Sequence, residues 1–183
     1  LFTRPAPHAN HPLSDPLSLH VALPIYDSIT GGAGVDTINA GAGTNTITDA
    51  GDGADVITHD QGSSTVTLAV TGSGVVTLNA SQAGATANSA SGVNTTVNAS
   101  GSSAAVSLSG NSGADSLVGG SGYDTISGGK GDDTIFGHFG NDLITYAQTG
   151  SAVTVNLRTK SASGGDGNDT LNDVNSIEGS QFD

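Results

Sequence analysis

Aspartate recurs at a nine-residue interval in one stretch of the chain, at Asp115, Asp124, Asp133 and Asp142. Each of these aspartates follows a glycine-rich segment and stands two positions before a large aliphatic residue. Carboxylate oxygens are ligands of hard cations, and glycine-rich turns expose backbone carbonyl oxygens that can serve beside them. The spacing therefore predicts metal sites built from oxygen donors.

Four consecutive copies of one nonapeptide, G-G-x-G-x-D-x-U-x with U a large aliphatic residue, produce this spacing between Gly110 and Thr145. Glycine reaches the positive φ angles that a tight reversal needs. The polar-aliphatic-polar triplet that follows suits a short strand with one inward side chain. A nonapeptide cannot bury that side chain alone, so successive repeats must stack. The sequence predicts an all-β fold, a parallel β-solenoid. In it the aspartates of stacked repeats form columns, and neighbouring carboxylates within a column lie about 4.8 Å apart.

Such a column of carboxylates repels itself unless a counter-ion neutralises it. Calcium takes six to eight oxygen ligands at about 2.3 to 2.6 Å and tolerates irregular geometry, whereas magnesium requires a near-ideal octahedron. Zinc and copper prefer nitrogen and sulfur, which these turns lack. We therefore expect calcium as the cofactor.

The nonapeptide resembles that of the RTX, or haemolysin-type calcium-binding, family of bacterial secreted proteins. The resemblance implies a flattened right-handed β-roll in which an ion sits between the turns of repeats n and n+2. It assigns one site to Asp115 with Asp133 and another to Asp124 with Asp142. The turn residues expected to offer backbone carbonyls are Gly110, Gly119, Gly120, Gly122, Gly128, Gly129, Gly131, Gly137 and Gly140.

Imperfect copies of the repeat lie nearer the N-terminus. By the same resemblance, Asp36 and Asp55 share one calcium site. Asn45 stands between them and brings only a neutral oxygen, while the extra residue Asp49 is expected to bulge the strand register. The turn candidates in this block are Gly31, Gly32 and Gly34.

The remaining segments carry the strand pattern with less metal chemistry. Between Ser63 and Ser109 acidic residues vanish while alternation continues, which predicts more solenoid without metal. From 81 to 91 that pattern fails, and a loop, a disordered excursion or a further coil would each fit. The copy over 164–172 stands alone, so its metal candidate Asp169 has no obvious partner. The residues around it resemble the linking unit of RTX arrays, and we expect the chain to stop mid-array.

Residues 1–25 do not share the repeat pattern and lack the apolar run of a signal peptide. The segment over 18–25 resembles one translated frame of a common short-read sequencing adapter, with Val21 the departure, so we expect a non-native leader; a disordered Pro-rich linker is the alternative. Either way its histidines are not expected to bind metal. The predicted organisation is this leader, degenerate repeats over 26–62, a metal-free Ser/Thr/Asn-rich solenoid over 63–109, calcium-binding repeats over 110–145, and a linking unit with one further repeat over 146–183.

The composition supports a metal-neutralised chain outside the cell. Its 17 acidic and 4 basic residues give a formal net charge of −13, and every acid except Glu178 is aspartate. Turn-borne calcium ligands favour the shorter acid. A chain with this charge is a poor ligand for nucleic acid or anionic membrane. It has no cysteine and no transmembrane run. With few aromatic residues, the core must be thin, and we expect Tyr123, Tyr146, Phe136 and Phe139 to cover it.

Two functions fit these features. The resemblance implies a calcium-binding module of an exported bacterial protein, which leaves the cell through type I secretion machinery and folds on meeting extracellular calcium. The alternative is a stalk of a surface-layer protein or adhesin, stiffened by calcium. G-x-S-x-G and H-E-x-x-H motifs are absent, so we expect no enzyme here; an enzymatic or toxin domain would lie elsewhere in the parent. Because neither end carries a polar cap, we also expect end-to-end self-association.

Overall fold

The computed structural model describes residues 18–20, 28–31, 34–40, 43–49, 53–59, 65–70, 74–80, 85–89 and 92–182. These residues form strands and turns only, and none of them belongs to a helix that could cross a membrane. The strands are β1 (Ser18–His20), β2 (Ser28–Thr30), β3 (Thr37–Asn39), β4 (Thr44–Asp49), β5 (Ala54–His59), β6 (Thr65–Val70), β7 (Val75–Ala80), β8 (Ala85–Ser89), β9 (Thr96–Asn98), β10 (Val106–Ser109), β11 (Ser116–Val118), β12 (Thr125–Ser127), β13 (Thr134–Phe136), β14 (Leu143–Thr145), β15 (Val153–Asn156), β16 (Ser161–Gly164), β17 (Gly167–Asn172) and β18 (Ser176–Glu178).

The strands divide between two sheets, and up to β14 each strand lies in the opposite sheet from the one before it. One sheet has eight strands in the order β2, β4, β6, β8, β10, β12, β14, β18. The other has ten, in the order β1, β3, β5, β7, β9, β11, β13, β17, β16, β15. All pairings are parallel except those of β16 with β15 and β17. Two successive strands therefore complete one coil, and the predicted parallel β-solenoid is confirmed.

The core is a stack of aliphatic side chains enclosed between the two sheets. Strand register stacks like on like, so that Leu117 pairs with Ile135 in one sheet and Ile126 with Ile144 in the other. Burying one such side chain contributes about 2 kcal/mol, and each short strand supplies about one. The largest fully buried side chains are Ile38, Ile47, Ile57, Leu68, Leu78, Leu108, Leu117, Ile126, Ile135, Ile144 and Leu171.

Strands β6 to β10 carry both sheets through the segment without acidic residues. Within it, β8 forms where the sequence pattern fails, and it pairs with β6 and β10. Its inward positions are Ala85, Ala87 and Ser89, all three buried. Alanine signals an inward face weakly, so the sequence left a coil and a loop equally open there.

Both ends of the ten-stranded sheet differ from the sequence expectation. The backbone of β1, inside the predicted leader, pairs in parallel with β3. Its Ser-Leu-His sequence has the polar-aliphatic-polar form of the other short strands; the rest of the leader lies outside the described residues. At the opposite end, β15 and β16 add to β17 as an antiparallel meander. At this end the sheet therefore finishes on an antiparallel strand, β15, rather than on a stacked parallel coil.

Candidate metal centre

Two columns of side chains run along the two sheets, and each member stands immediately before a three-residue segment whose middle residue is aliphatic. The first column comprises Thr95, Asp115, Asp133 and Asp169. The second column comprises Val106, Asp124, Asp142 and Asn175. All five aspartates are buried, at most 4% exposed.

One carboxylate oxygen of each column aspartate is bound to the backbone of the neighbouring coil. The N–H of Asp115 donates to Asp133 Oδ1 at 2.9 Å, and that of Asp124 donates to Asp142 Oδ1 at 3.0 Å. The columns begin in the same way on Thr95 and Val106, whose N–H groups donate to Asp115 Oδ1 and Asp124 Oδ1 at 2.7 and 2.9 Å. The structure thus brings together both aspartate pairs that the resemblance assigned to calcium.

The second carboxylate oxygen, Oδ2, has a hydrogen-bond donor in some column aspartates and none in others. Oδ2 of Asp115, Asp133 and Asp142 is buried and accepts no hydrogen bond. In Asp124 the corresponding oxygen accepts from the N–H of Gly120 at 2.6 Å. Asp115, Asp133 and Asp142 therefore each lack a positive or donating group beside Oδ2. A buried carboxylate oxygen without such a group costs free energy.

The first glycine of each repeat leaves space beside that oxygen. A Cβ on Gly110 would lie 2.5 Å from Asp115 Oδ2 and would also collide with the carbonyl oxygen of Gly128. A Cβ on Gly119 would lie 2.5 Å from both Asp124 Oδ2 and the carbonyl oxygen of Gly137. Each cradle therefore joins a carboxylate oxygen and a carbonyl oxygen from the next coil, and only glycine keeps it open.

Other glycines allow the chain to reverse direction, in the turn between β12 and β13 and in the turn that follows β13. Gly129, Gly131 and Gly140 have φ angles of 98°, 123° and 130°, in the left-handed region that glycine favours. A Cβ on Gly131 would also overlap the carbonyl of Gly113 in the coil below. Gly120 and Gly122 likewise pack against the backbone of 102–105. These glycines let the coils stack closely.

Burial makes the ionised columns unfavourable. It raises the pKa of Asp115, Asp142 and Asp169 above the usual range. It also raises the pKa of Asp133 to about 6, with the neighbouring carboxylates adding to burial and the hydrogen bond from Asp115 opposing it. The buried polar residues that the structure describes include no lysine, arginine or histidine. The columns therefore need a positive charge from outside the chain.

Calcium fits this donor set. The cradles contain oxygen donors only, of the carboxylate and carbonyl types that calcium accepts. Across the described residues no three His, Cys, Asp or Glu side chains converge as a metal cluster, so carbonyl oxygens would complete the ligand shell. The residues that would hold the ion are the paired aspartates whose Oδ2 faces a glycine cradle, Asp115 with Asp133 and Asp124 with Asp142, and the turn carbonyls beside them.

The degenerate block repeats part of this arrangement. The N–H of Asp36 donates to Asp55 Oδ1 at 2.7 Å, so this predicted pair is also brought together. Asn45 is buried and its amide donates to the carbonyl of Ala40 at 2.6 Å. The expected register bulge at Asp49 is wrong, because β4 pairs with β6 residue for residue through that position. Gly31 and Gly34 border the turn of this repeat, whereas Gly32 lies outside the described residues.

Asp169 has a partner that the sequence did not reveal. The N–H of Asp133 donates to Asp169 Oδ1 at 3.0 Å, which extends the first column by one coil. Asp169 Oδ2 accepts from the hydroxyl of Tyr146 at 2.8 Å. Burial and this hydrogen bond raise the pKa of Tyr146, so the phenol stays protonated. The intervening meander hides the pairing, because it lengthens the separation from 18 to 36 residues.

Two of the aromatic residues expected to cover the core do not do so. Tyr123 and Phe139 are 70% and 68% exposed, because each extends from a turn. Tyr146 is buried, but its hydroxyl points into the first column. Asn175, at the end of the second column, was also missed; its Oδ1 accepts from the N–H of Asp142 at 3.2 Å. The Ser-Ile-Glu triplet after Asn175 is the signal that could have identified it.

A parallel β-solenoid with buried aspartate columns and glycine cradles defines a class of repeat protein built around cations. The model of the RTX calcium-binding nonapeptide repeat matches this chain in four copies, over residues 26–47, 109–144 and 161–173. The chain therefore carries RTX calcium-binding nonapeptide repeats, and the resemblance drawn from the sequence is confirmed. No curated protein and no solved structure matches the chain.

Proposed function

We propose that this chain is a calcium-binding β-solenoid module that completes its fold when calcium neutralises the buried aspartates. The observation that carries the proposal is the unpaired Oδ2 of Asp115, Asp133 and Asp142 in an interior without a described cationic side chain. An uncompensated buried charge costs several kcal/mol. Each short strand buries only one aliphatic side chain, so the hydrophobic core contributes little free energy to offset that cost.

The residues of the chain prepare each site before the ion arrives. Backbone amides hold Oδ1 of each aspartate, which fixes the carboxylate and turns Oδ2 toward the glycine cradle. Bound calcium would supply the missing positive charge and link two coils. By the pairing of the repeats, the proposed ligand sets are Asp115 with Asp133, Asp124 with Asp142, and Asp36 with Asp55.

The test is a calcium titration of the full chain followed by far-ultraviolet circular dichroism and calorimetry. We expect β structure to increase with calcium and to fall in chelator, with dissociation constants of about 10⁻⁴ to 10⁻³ M, as in extracellular calcium modules. Magnesium at the same concentration is the control, and we expect a weaker response because the cradles do not impose an octahedron. A β spectrum that is unchanged by chelator would contradict the proposal.

The parent protein is proposed to be exported from a bacterium by type I secretion and to reside outside the cell or at its surface. At the low calcium concentration inside the cell, the stacked carboxylates would repel one another. The chain would therefore leave the cell unfolded and fold outside it. An antibody raised against this chain should detect the parent in the medium or on intact cells. Detection in the cytosol alone would contradict export.

A stalk function is the second candidate. The metal-free coils β6 to β10 extend the same two sheets as the calcium-binding coils, which favours a continuous spacer. We propose no enzyme activity for this segment, because most of its buried acids are engaged in the columns or in the Asp36/Asp55 pair; catalytic or toxin domains would lie elsewhere in the parent. Long tandem arrays beside this segment in the parent gene would support the stalk, and a catalytic domain would support the secretion module.

A further inference from the structure

Tyr146 stands where the next repeat would begin. The first glycine of a repeat follows a strand directly and donates its N–H to the paired strand: Gly119 to Phe136 at 2.8 Å and Gly137 to Asn172 at 2.9 Å. Tyr146 follows β14 and donates its N–H to the carbonyl of Glu178 at 2.8 Å. It therefore occupies the first position of the coil whose column aspartate is Asp169, although the meander separates the two in sequence.

At this position the glycine cradle is filled. In the repeats before it, the first position lies close to Oδ2 of the column aspartate and has room only for glycine, because a Cβ built on Gly110 or Gly137 would lie 2.5 or 2.7 Å from that oxygen. In the coil of Asp169, the tyrosine side chain enters instead, and its hydroxyl donates to Oδ2 at 2.8 Å. Tyr146 is 2% exposed, so this hydrogen bond is shielded from water.

The surrounding structure also ends at this coil. The outer edge of β17 pairs with β16 in antiparallel, with Ala162 opposite Asp169, so no further parallel coil brings another aspartate. In the second column Asn175 stands beside Asp142, and its neutral amide oxygen takes the position of a carboxylate. In this coil, therefore, one column presents a carboxylate that the Tyr146 hydroxyl meets and the other presents an uncharged amide.

We propose that Tyr146 terminates the first column of calcium sites, its hydroxyl replacing the ion at Asp169. Asp169 is then a positioning residue, which accepts the N–H of Asp133 and binds no calcium itself. The inference rests on the proposed calcium function and revises the expectation that Asp169 is a metal ligand.

The experiment counts calcium ions bound per chain by equilibrium dialysis at saturating calcium, with circular dichroism as the readout of folding. Tyr146→Gly restores the glycine of the other repeats and should bind one more ion than wild type. Phe182→Gly removes an exposed aromatic side chain outside the matched repeats and should leave the count unchanged. Asp169→Asn should also leave the wild-type count unchanged, and it should abolish the gain when combined with Tyr146→Gly.

Each outcome decides the proposal. An equal count in wild type and folded Tyr146→Gly overturns it, and so does the loss of one ion in Asp169→Asn. The latter variant keeps the proposal testable if Tyr146→Gly does not fold, since an amide oxygen already serves the same role at Asn175. Absence of calcium binding by wild type would instead overturn the calcium function itself.

Discussion

Replacing Asp133 by asparagine should have opposite effects on the calcium-free and calcium-bound chain. The amide oxygen of Asp133→Asn can still accept the N–H of Asp115, which now bonds to Oδ1 at 2.9 Å. What disappears is the negative charge that burial and the neighbouring carboxylates disfavour. We therefore expect the variant to stabilise the calcium-free fold and to weaken calcium binding.

The magnitude follows from the pKa of Asp133, which is raised from 3.8 to about 6. Each pKa unit corresponds to about 1.4 kcal/mol, so the ionised carboxylate costs the fold about 3 kcal/mol near neutral pH. Removing the charge should recover up to that amount in chelator, less the cost of burying the amide NH₂. In calcium the same change removes a ligand, and the calcium-dependent stabilisation should shrink.

The assay is folding induced by trimethylamine N-oxide, an osmolyte that strengthens burial, in chelator and then in calcium. In chelator the folding midpoint of Asp133→Asn should move to lower osmolyte concentration. Asp132→Asn is the matched control, because it makes the same charge change at the adjacent exposed residue and keeps an acceptor for the N–H of Asn168. A variant that is less stable than wild type in chelator, or that retains its full calcium response, would refute this account of the columns.

Three further predictions concern protons, the glycine cradle and shape. In chelator the folded fraction should rise as pH falls from about 6 toward 4, since folded Asp133, with its pKa raised to about 6, binds a proton that the unfolded chain does not; circular dichroism against pH measures this, and loss of structure over that window would contradict it. Gly119→Ala should lower stability and calcium affinity in a calorimetric titration, because its Cβ would meet Asp124 Oδ2 and the Gly137 carbonyl, whereas Gly150→Ala meets no atom within 4 Å and should be neutral. Small-angle scattering in calcium should give an elongated particle, since eight stacked strands at about 4.8 Å span roughly 35 to 40 Å. A compact sphere would exclude a straight solenoid. A mass that stays monomeric at high protein concentration would exclude end-to-end association.

The nine-residue period was enough to predict the solenoid, and the resemblance to RTX repeats added the two central aspartate pairs, because in such a roll alternate repeats lie on the same edge. It was not enough where the period is interrupted. Asp169 joins Asp133 across the meander, and the length of an inserted hairpin does not reveal which coil continues after it. The hydroxyl of Tyr146 was missed for a related reason, since an aromatic residue in a sequence with a thin core is first assigned to packing.

The coils without acidic residues suggest why the proposed calcium sites occupy only part of the solenoid. At the column positions next to the aspartates, these coils carry Thr95 and Val106, which bring no charge. Their backbone amides nevertheless donate to Asp115 and Asp124, so the coils of these two aspartates are positioned by neighbouring coils that contain no carboxylate in the columns. Repulsion starts only where a second aspartate is stacked on the first. The same backbone therefore supports coils with and without buried carboxylates, and under the proposed function the residue at the column position determines which coils bind calcium.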